Sequence, residues 1–151
     1  MKKASLLLLV LALAVPASPA QGKDEPIKSL LRAQFAAWST LNVDAPKKFY
    51  TDDPKAVYFD VAPLKYTGWQ EYRDGVAKVF VPNYSSLKIE FNDDIVVHHA
   101  GGWAWATATW KGDGVQKSGK KDHFEGRYTG VLKKEGKNWK IVHEHVSVPL
   151  S

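Results

Sequence analysis

The chain has 151 residues, with 21 Lys and Arg against 16 Asp and Glu, a formal net charge of +5, and 44% hydrophobic residues. That composition excludes a disordered chain and a membrane bundle. The absence of cysteine excludes disulfides, iron–sulfur and zinc-thiolate sites, thiol catalysis and a lipidated cysteine. Six Trp, six Tyr and six Phe in so short a chain predict a cavity lined with rings.

Met1-Lys2-Lys3 is a basic start, Leu6 to Val15 is an apolar run of Leu, Val and Ala, and Ser18-Pro19-Ala20 supplies the small residues a signal peptidase reads. The run is shorter than the ~20 residues a bilayer span needs. Residues 1–20 are therefore expected to be a signal peptide cleaved after Ala20, and residues 21–25 a polar leader. Residues 26–149 form one domain, periplasmic or secreted. Without Lys2 and Lys3 the balance is 19 basic to 16 acidic residues, a net charge of +3. No basic cluster is interleaved with stacking aromatics, so neither nucleic acid nor, after cleavage, a membrane is an expected partner.

In chain order, Asp24 with Pro26 behind it opens a helix. Ile27, Leu31, Phe35, Trp38 and Leu41 then recur at helical spacing as one apolar stripe. Asp44-Ala45-Pro46 starts a second, short helix ending near Tyr50, and Val57 to Asp60 reads as a brief strand. Thr67 and Gln70 have the spacing of a capping box. Trp69, Tyr72, Val76, Val79 and Phe80 follow the helical period behind them, up to Pro82. Gly75 costs that helix about 1 kcal/mol against Ala and so implies a close approach.

Beyond Pro82 the period is two. Leu87, Ile89 and Phe91 alternate with charge, Ile95 to His98 continues, and Ala100-Gly101-Gly102 turns. Trp103, Trp105, Thr107 and Thr109 share one face of the next strand, with Ala104, Ala106, Ala108 and Trp110 on the other. Gly112 to Gly119 reads as a glycine-rich loop with Lys117 to Lys121 as a solvated tip. His123 to Lys134 and Trp139 to Val148 are the last strands. Helices first and long antiparallel strands after make an α+β domain. The flat strip from Ala104 to Trp110 is expected on the uncovered sheet face, pairing with a second copy.

Tyr58-Phe59-Asp60 with Pro63 and Gly68-Trp69, then Glu125-Gly126-Arg127, then Trp139-Lys140-Ile141-Val142-His143-Glu144-His145-Val146-Ser147 carry a resemblance. In this order of elements they resemble the nuclear-transport-factor-2-like superfamily, which ketosteroid isomerase and the SnoaL polyketide cyclases share. The last stretch is similar to the Trp-x-Ile-Val-His-x-His-x-Ser ending of the SnoaL-like subgroup that includes the calcium/calmodulin-dependent kinase II association domain. The resemblance implies a cone: a strongly bent antiparallel sheet wrapped on about three N-terminal helices, enclosing a pocket. It also implies a homodimer through the outer sheet face.

The resemblance places Asp60 where ketosteroid isomerase has its proton-shuttling carboxylate. Trp38 and a position near Thr129 stand where that isomerase has oxyanion donors, so its steroid mechanism is not implied. Arg127 matches an arginine that takes small carboxylates in the association domain, with Thr107, Tyr72 and Val146 at that pocket's other basic positions. Strict alternation puts Ile141, His143 and His145 opposite Val142, Glu144 and Val146, and only a bend or bulge reconciles Val146 in the pocket with the first set lining a cavity.

The residue chemistry leaves alternatives. Asp60 among Tyr58, Trp69 and other rings has its charged form disfavoured, which suits proton transfer; otherwise it ends a strand and accepts turn N–H groups. A guanidinium at Arg127 inside an aromatic cavity needs an anion, a bidentate carboxylate best, or an internal partner in Glu125, Asp60 or Glu144. His143 and His145 project to one side roughly 6.6 Å apart. They either hold a metal with Asp60 or His123, or bond to backbone and Ser147, and the second is preferred. No metal or cofactor is expected.

The expected ligand-binding set is Tyr58, Trp69, Tyr72, Trp105, Thr107, Arg127 and His145, with Asp60 the catalytic candidate. Three functions follow: an exported pocket protein binding a small anionic or amphipathic organic molecule, ranked first; an isomerase, dehydratase or cyclase using Asp60; and a non-catalytic dimerisation scaffold.

Overall fold

A computed structural model describes residues 22–149; the expected signal peptide lies outside the described residues. Helix α1 spans Glu25–Ser39, with Pro in its first turn, and buries Ile27, Leu31, Gln34 and Phe35. The expected cap differs: the Asp24 side chain makes no cap bond, and its carboxylate instead meets His99 Nε2 at 2.9 Å. Ala45–Phe49 is a 3-10 turn and Gly68–Val79 is helix α2. Two α-helices and two short 3-10 turns thus stand where about three helices were expected. At the start of α2 the Thr67 N–H donates to Glu71 Oε2 at 2.8 Å. A carboxylate in the first turn is the stronger acceptor, so Glu71 and not Gln70 closes the cap.

Seven strands follow: β1 Val57–Phe59, β2 Tyr66–Thr67, β3 Tyr84–Phe91, β4 Val96–Ala100, β5 Trp103–Gln116, β6 Lys121–Glu135 and β7 Asn138–Ser147. They form one curled, unclosed sheet in the order β2-β1-β7-β6-β5-β3, with β4 also on β5. Pairing is antiparallel except for β1 with β7, which is parallel, so the sheet is mixed. β5 runs on to Gln116, through the first part of the stretch expected as a loop, and the exposed turn is confined to residues 117–120. Gly112 and Gly114 sit in the ladder opposite Ile89 and Leu87, and a Cβ at Gly114 would fall 2.6 Å from the Tyr84 ring. Those glycines admit a close ring; they do not end the strand.

The faces of β5 are the reverse of the expectation. Ala104, Ala106, Ala108 and Trp110 share one core with Ile27, Leu31 and Phe35, while Trp103 and Trp105 are 46% and 43% exposed. Side chains converge on the concave side of a curled sheet, so small residues must face large ones there. Ala104 lies opposite Leu132, and Ala108 opposite Tyr128. The alanine strip is a core layer and not a surface for self-association.

Strand β7 contains a bulge. Val131 pairs with His143 and Leu132 with Ile141, which leaves Val142 as the extra residue. Ile141 and Glu144, three apart, consequently both face inward, and both are 0% exposed.

Candidate functional site

Between the two helices and the concave sheet face lies a cavity of about 320 Å³. Helix α1 gives it Gln34, Phe35 and Trp38, and α2 gives Tyr72, Val76 and Val79. The sheet gives Ile89, Trp110, Phe124, Glu144 and Val146, and the segment after β1 closes one side with Asp60, Val61 and Ala62. Among the described residues no Lys, Arg or His lines this cavity. Trp110 reaches it because Gly126 leaves room: a Cβ there would lie 2.4 Å from the indole. Leu41, another wall residue, holds a left-handed φ of 58°, a conformation costing about 1–2 kcal/mol.

Glu144 is the polar centre of the site. Its Oε1 accepts the Tyr50 hydroxyl at 2.7 Å and the Tyr72 hydroxyl at 2.8 Å, and its Oε2 takes one long contact, 3.4 Å from Gln34 Nε2. The Tyr50 oxygen accepts in turn from Gln34 Nε2 at 2.6 Å and from Trp38 Nε1 at 3.0 Å. Loss of hydration pushes the Glu144 carboxyl up to about 7, although the Tyr50 and Tyr72 hydroxyls favour its charged form. The Tyr128 hydroxyl sits over Gly130, the residue paired with Glu144, where a Cβ would lie 2.5 Å from it. The Tyr58 hydroxyl and Gln34 Oε1 are buried without hydrogen-bond partners; the Tyr128 hydroxyl has none at ordinary length but lies near enough to Glu144 to favour its charged form. Burial first, then the nearby carboxyl charge, pushes Tyr50, Tyr72 and Tyr128 well above the usual phenol range.

Asp60 stands at the end of β1, half-buried, with Oδ1 accepting the Val61 N–H at 2.7 Å. Burial raises its carboxyl to about 6, against the opposing effect of that N–H. Its charge raises both Tyr72 and Glu144, so the two acids act on each other across one cavity.

Of the residues expected at the site, Asp60 and Tyr72 line the cavity. Tyr58 and Trp69 form a second row of rings behind it, Tyr58 stacked on Tyr72 at 5.1 Å and Trp69 packed on Tyr50 at 4.8 Å. Trp105, Thr107, Arg127 and His145 do not reach it. They are exposed on the opposite sheet face, because the inward residues of β6 are Gly126, Tyr128 and Gly130, and those of β5 are the alanines. Trp105 stacks under His98 at 5.0 Å, and His145 meets the edge of Phe59 at 5.7 Å. His143 Nδ1 lies 2.7 Å from the Val57 carbonyl oxygen, the backbone bond foreseen as the alternative to metal binding. The sequence predicts Glu144 on a strand face with Val146 and as a partner for Arg127, not as a site residue. The signal that marks it is an acid on the same face as Val146, inward once a bulge is placed at Val142.

The fold is similar to that of a nuclear transport factor 2-like superfamily protein from Salmonella enterica, with a TM-score of 0.76 and 20% identity over 83% of this chain and 89% of that chain. It is similar to a Xanthomonas campestris protein assigned as a calcium/calmodulin dependent protein kinase II association domain, with a TM-score of 0.74 and 22% identity over 93% and 98% of the two chains. A hexachlorocyclohexane dehydrochlorinase of type 2 also resembles it, with a TM-score of 0.73 and 12% identity over 83% and 84%. At these identities the likeness is one of fold. No curated protein matches the sequence. The model of the SnoaL-like domain matches residues 27–151, a span that holds the helical stripe, all seven strands and both cavity acids, and the chain belongs to that family.

Proposed function

We propose that this is a pocket protein for a small, predominantly apolar organic molecule, and that Asp60 and Glu144 exchange a proton with it, as in an isomerase or dehydratase. One observation carries the reading: two carboxyls of raised proton affinity stand in the wall of a single aromatic cavity. Acids pushed to different values divide the roles of base and acid. Asp60, at about 6, is ionised at neutral pH and serves as the base. Glu144, at about 7, keeps a protonated fraction and returns the proton. The similar fold of a dehydrochlorinase supports an elimination as the class of reaction. An anionic ligand held by Arg127 is not retained, because that side chain lies on the outer face.

The test is solvent deuterium incorporation into 2-tetralone, a ring ketone with acidic α-hydrogens, followed by NMR. Wild-type protein is expected to exchange them faster than buffer, and Asp60→Asn to lose about 10²–10⁴-fold, the usual contribution of a positioned base. Exchange at the buffer rate with wild-type protein, or an equal rate with the variant, overturns the reading.

The proposed setting is outside the cytoplasm, supported by the basic start and apolar run of residues 1–20. Intact mass of the exported protein checks it, with Gln21 expected as the first residue.

A further inference from the structure

Every side-chain N–H and O–H in the cavity wall is already donated within the protein. Trp38 gives its hydrogen to Tyr50, Trp110 to the Arg127 carbonyl at 3.3 Å, Tyr66 to the Ala62 carbonyl at 3.0 Å, and Tyr72 to Glu144. Gln34 Nε2 gives its two to Tyr50 and Glu144. With Glu144 ionised, Tyr50 donates its single hydrogen to it and receives one from Gln34, which sets the amide this way round. In that ionised form, the one an ammonium selects, what remains open is all acceptor. Gln34 is 1% exposed, and its Oε1 has no partner. Glu144 Oε2 has the long 3.4 Å contact, with the Tyr128 hydroxyl nearby, and Asp60 uses Oδ1 alone, for the Val61 N–H.

Resting on the reading that this cavity is the ligand site, we infer that the ligand is an organic cation, a small hydrophobic amine whose ammonium hydrogens go to Gln34 Oε1, Glu144 and Asp60. A carboxylate or phosphate meets two acids and no countercharge. A hydroxyl offers one hydrogen to three acceptors, whereas an ammonium offers up to three, and bonds from a charged donor are about twice as strong. The walls favour the same guest. The hydrocarbon of the amine meets Phe35, Trp38, Trp110 and Phe124.

Calorimetric titration with three compounds of one shape tests this: 1-adamantylmethylamine, 1-adamantylmethanol and adamantane-1-carboxylate. The amine is expected to bind at least about 10-fold more tightly than the alcohol and at least about 100-fold more tightly than the carboxylate. Asp60→Asn is expected to weaken amine binding about 10-fold, and Glu144→Gln to act likewise. Should Glu144→Gln fail to fold, Asp60→Asn decides, because its only side-chain bond is to the neighbouring N–H. Alcohol or carboxylate binding as tightly as the amine overturns the cation while the cavity reading stands. Amine binding untouched by Asp60→Asn also overturns it. Heat from none of the three overturns the cavity reading as well.

Discussion

The hydroxyl of Tyr50 donates to Glu144 Oε1 at 2.7 Å while accepting N–H groups from Gln34 and Trp38, so one oxygen ties α1 to the inward side of β7. Tyr50→Phe strips three hydrogen bonds and leaves two buried N–H groups without an acceptor. A loss of about 1–3 kcal/mol is expected, as for a buried polar group left unpaired. Tyr72→Phe, which removes one bond, is expected to cost less. Urea denaturation of both variants beside wild type makes the comparison.

Stability should depend on pH with a definite sign. The Glu144 carboxyl lies at about 7 in the fold against an ordinary 4.5, so between those values the folded state holds more protons than the unfolded one. Stability therefore falls as pH rises from about 4.5 to 7 and levels off above, by about 3 kcal/mol at 1.36 kcal/mol per unit. Asp60, raised from 3.8 to about 6, adds a fall in the same direction over its own range. Below pH 4 the trend reverses, because carboxyls held low, such as Asp122 at about 2, take up protons they bind weakly in the fold. Glu144→Gln is expected to make the fall between pH 4.5 and 7 shallower, most clearly between pH 6 and 7, above the range of Asp60. Unfolding free energies measured from pH 4 to 8.5 would show it, and a wild-type curve that rises from 5 to 7 contradicts the prediction.

Gly75→Ala tests a close approach. An added Cβ would sit 2.1 Å from Tyr66 Cε1, and that ring is 3% exposed and bonded to the Ala62 carbonyl. The gain of about 1 kcal/mol in helix propensity is outweighed by overpacking of about 1–3 kcal/mol. A Tm lower by several degrees is expected, as is weaker ligand binding, because Tyr66 steadies the segment that carries Asp60. An unchanged or higher Tm rules this out.

We propose that self-association uses the outer sheet face, where Trp103 and Trp105 keep nearly half their surface open. Light scattering should give a dimer for wild type and a folded monomer for Trp105→Glu. Ala106→Asp should behave differently and unfold the chain, since Ala106 is 0% exposed in the core and a lone buried charge is costly. A wild-type monomer at micromolar concentration removes this proposal.

Periodicity made much of this architecture legible. The stripe Ile27, Leu31, Phe35 and Trp38 set α1, and alternation found the long strands. Alternation separates two faces of a strand but does not say which is inside. On β5 the larger rings drew the assignment to the wrong side, because crowding within a curl selects for alanine. Thr107 went to the wrong side with them, and Arg127 did so through the resemblance, being on the outward face of β6. Asp60 and Tyr72 were reachable from the element order, whereas Glu144 depended on locating one unpaired residue in β7, which no local propensity reveals.

That extra residue, Val142, acts as a frameshift in three dimensions. Removing it would rotate everything upstream in β7 by half a pleat, turning Ile141 toward water if Glu144 keeps its place, or exiling the acid if Ile141 does. The ending of this chain is informative only when read with that offset.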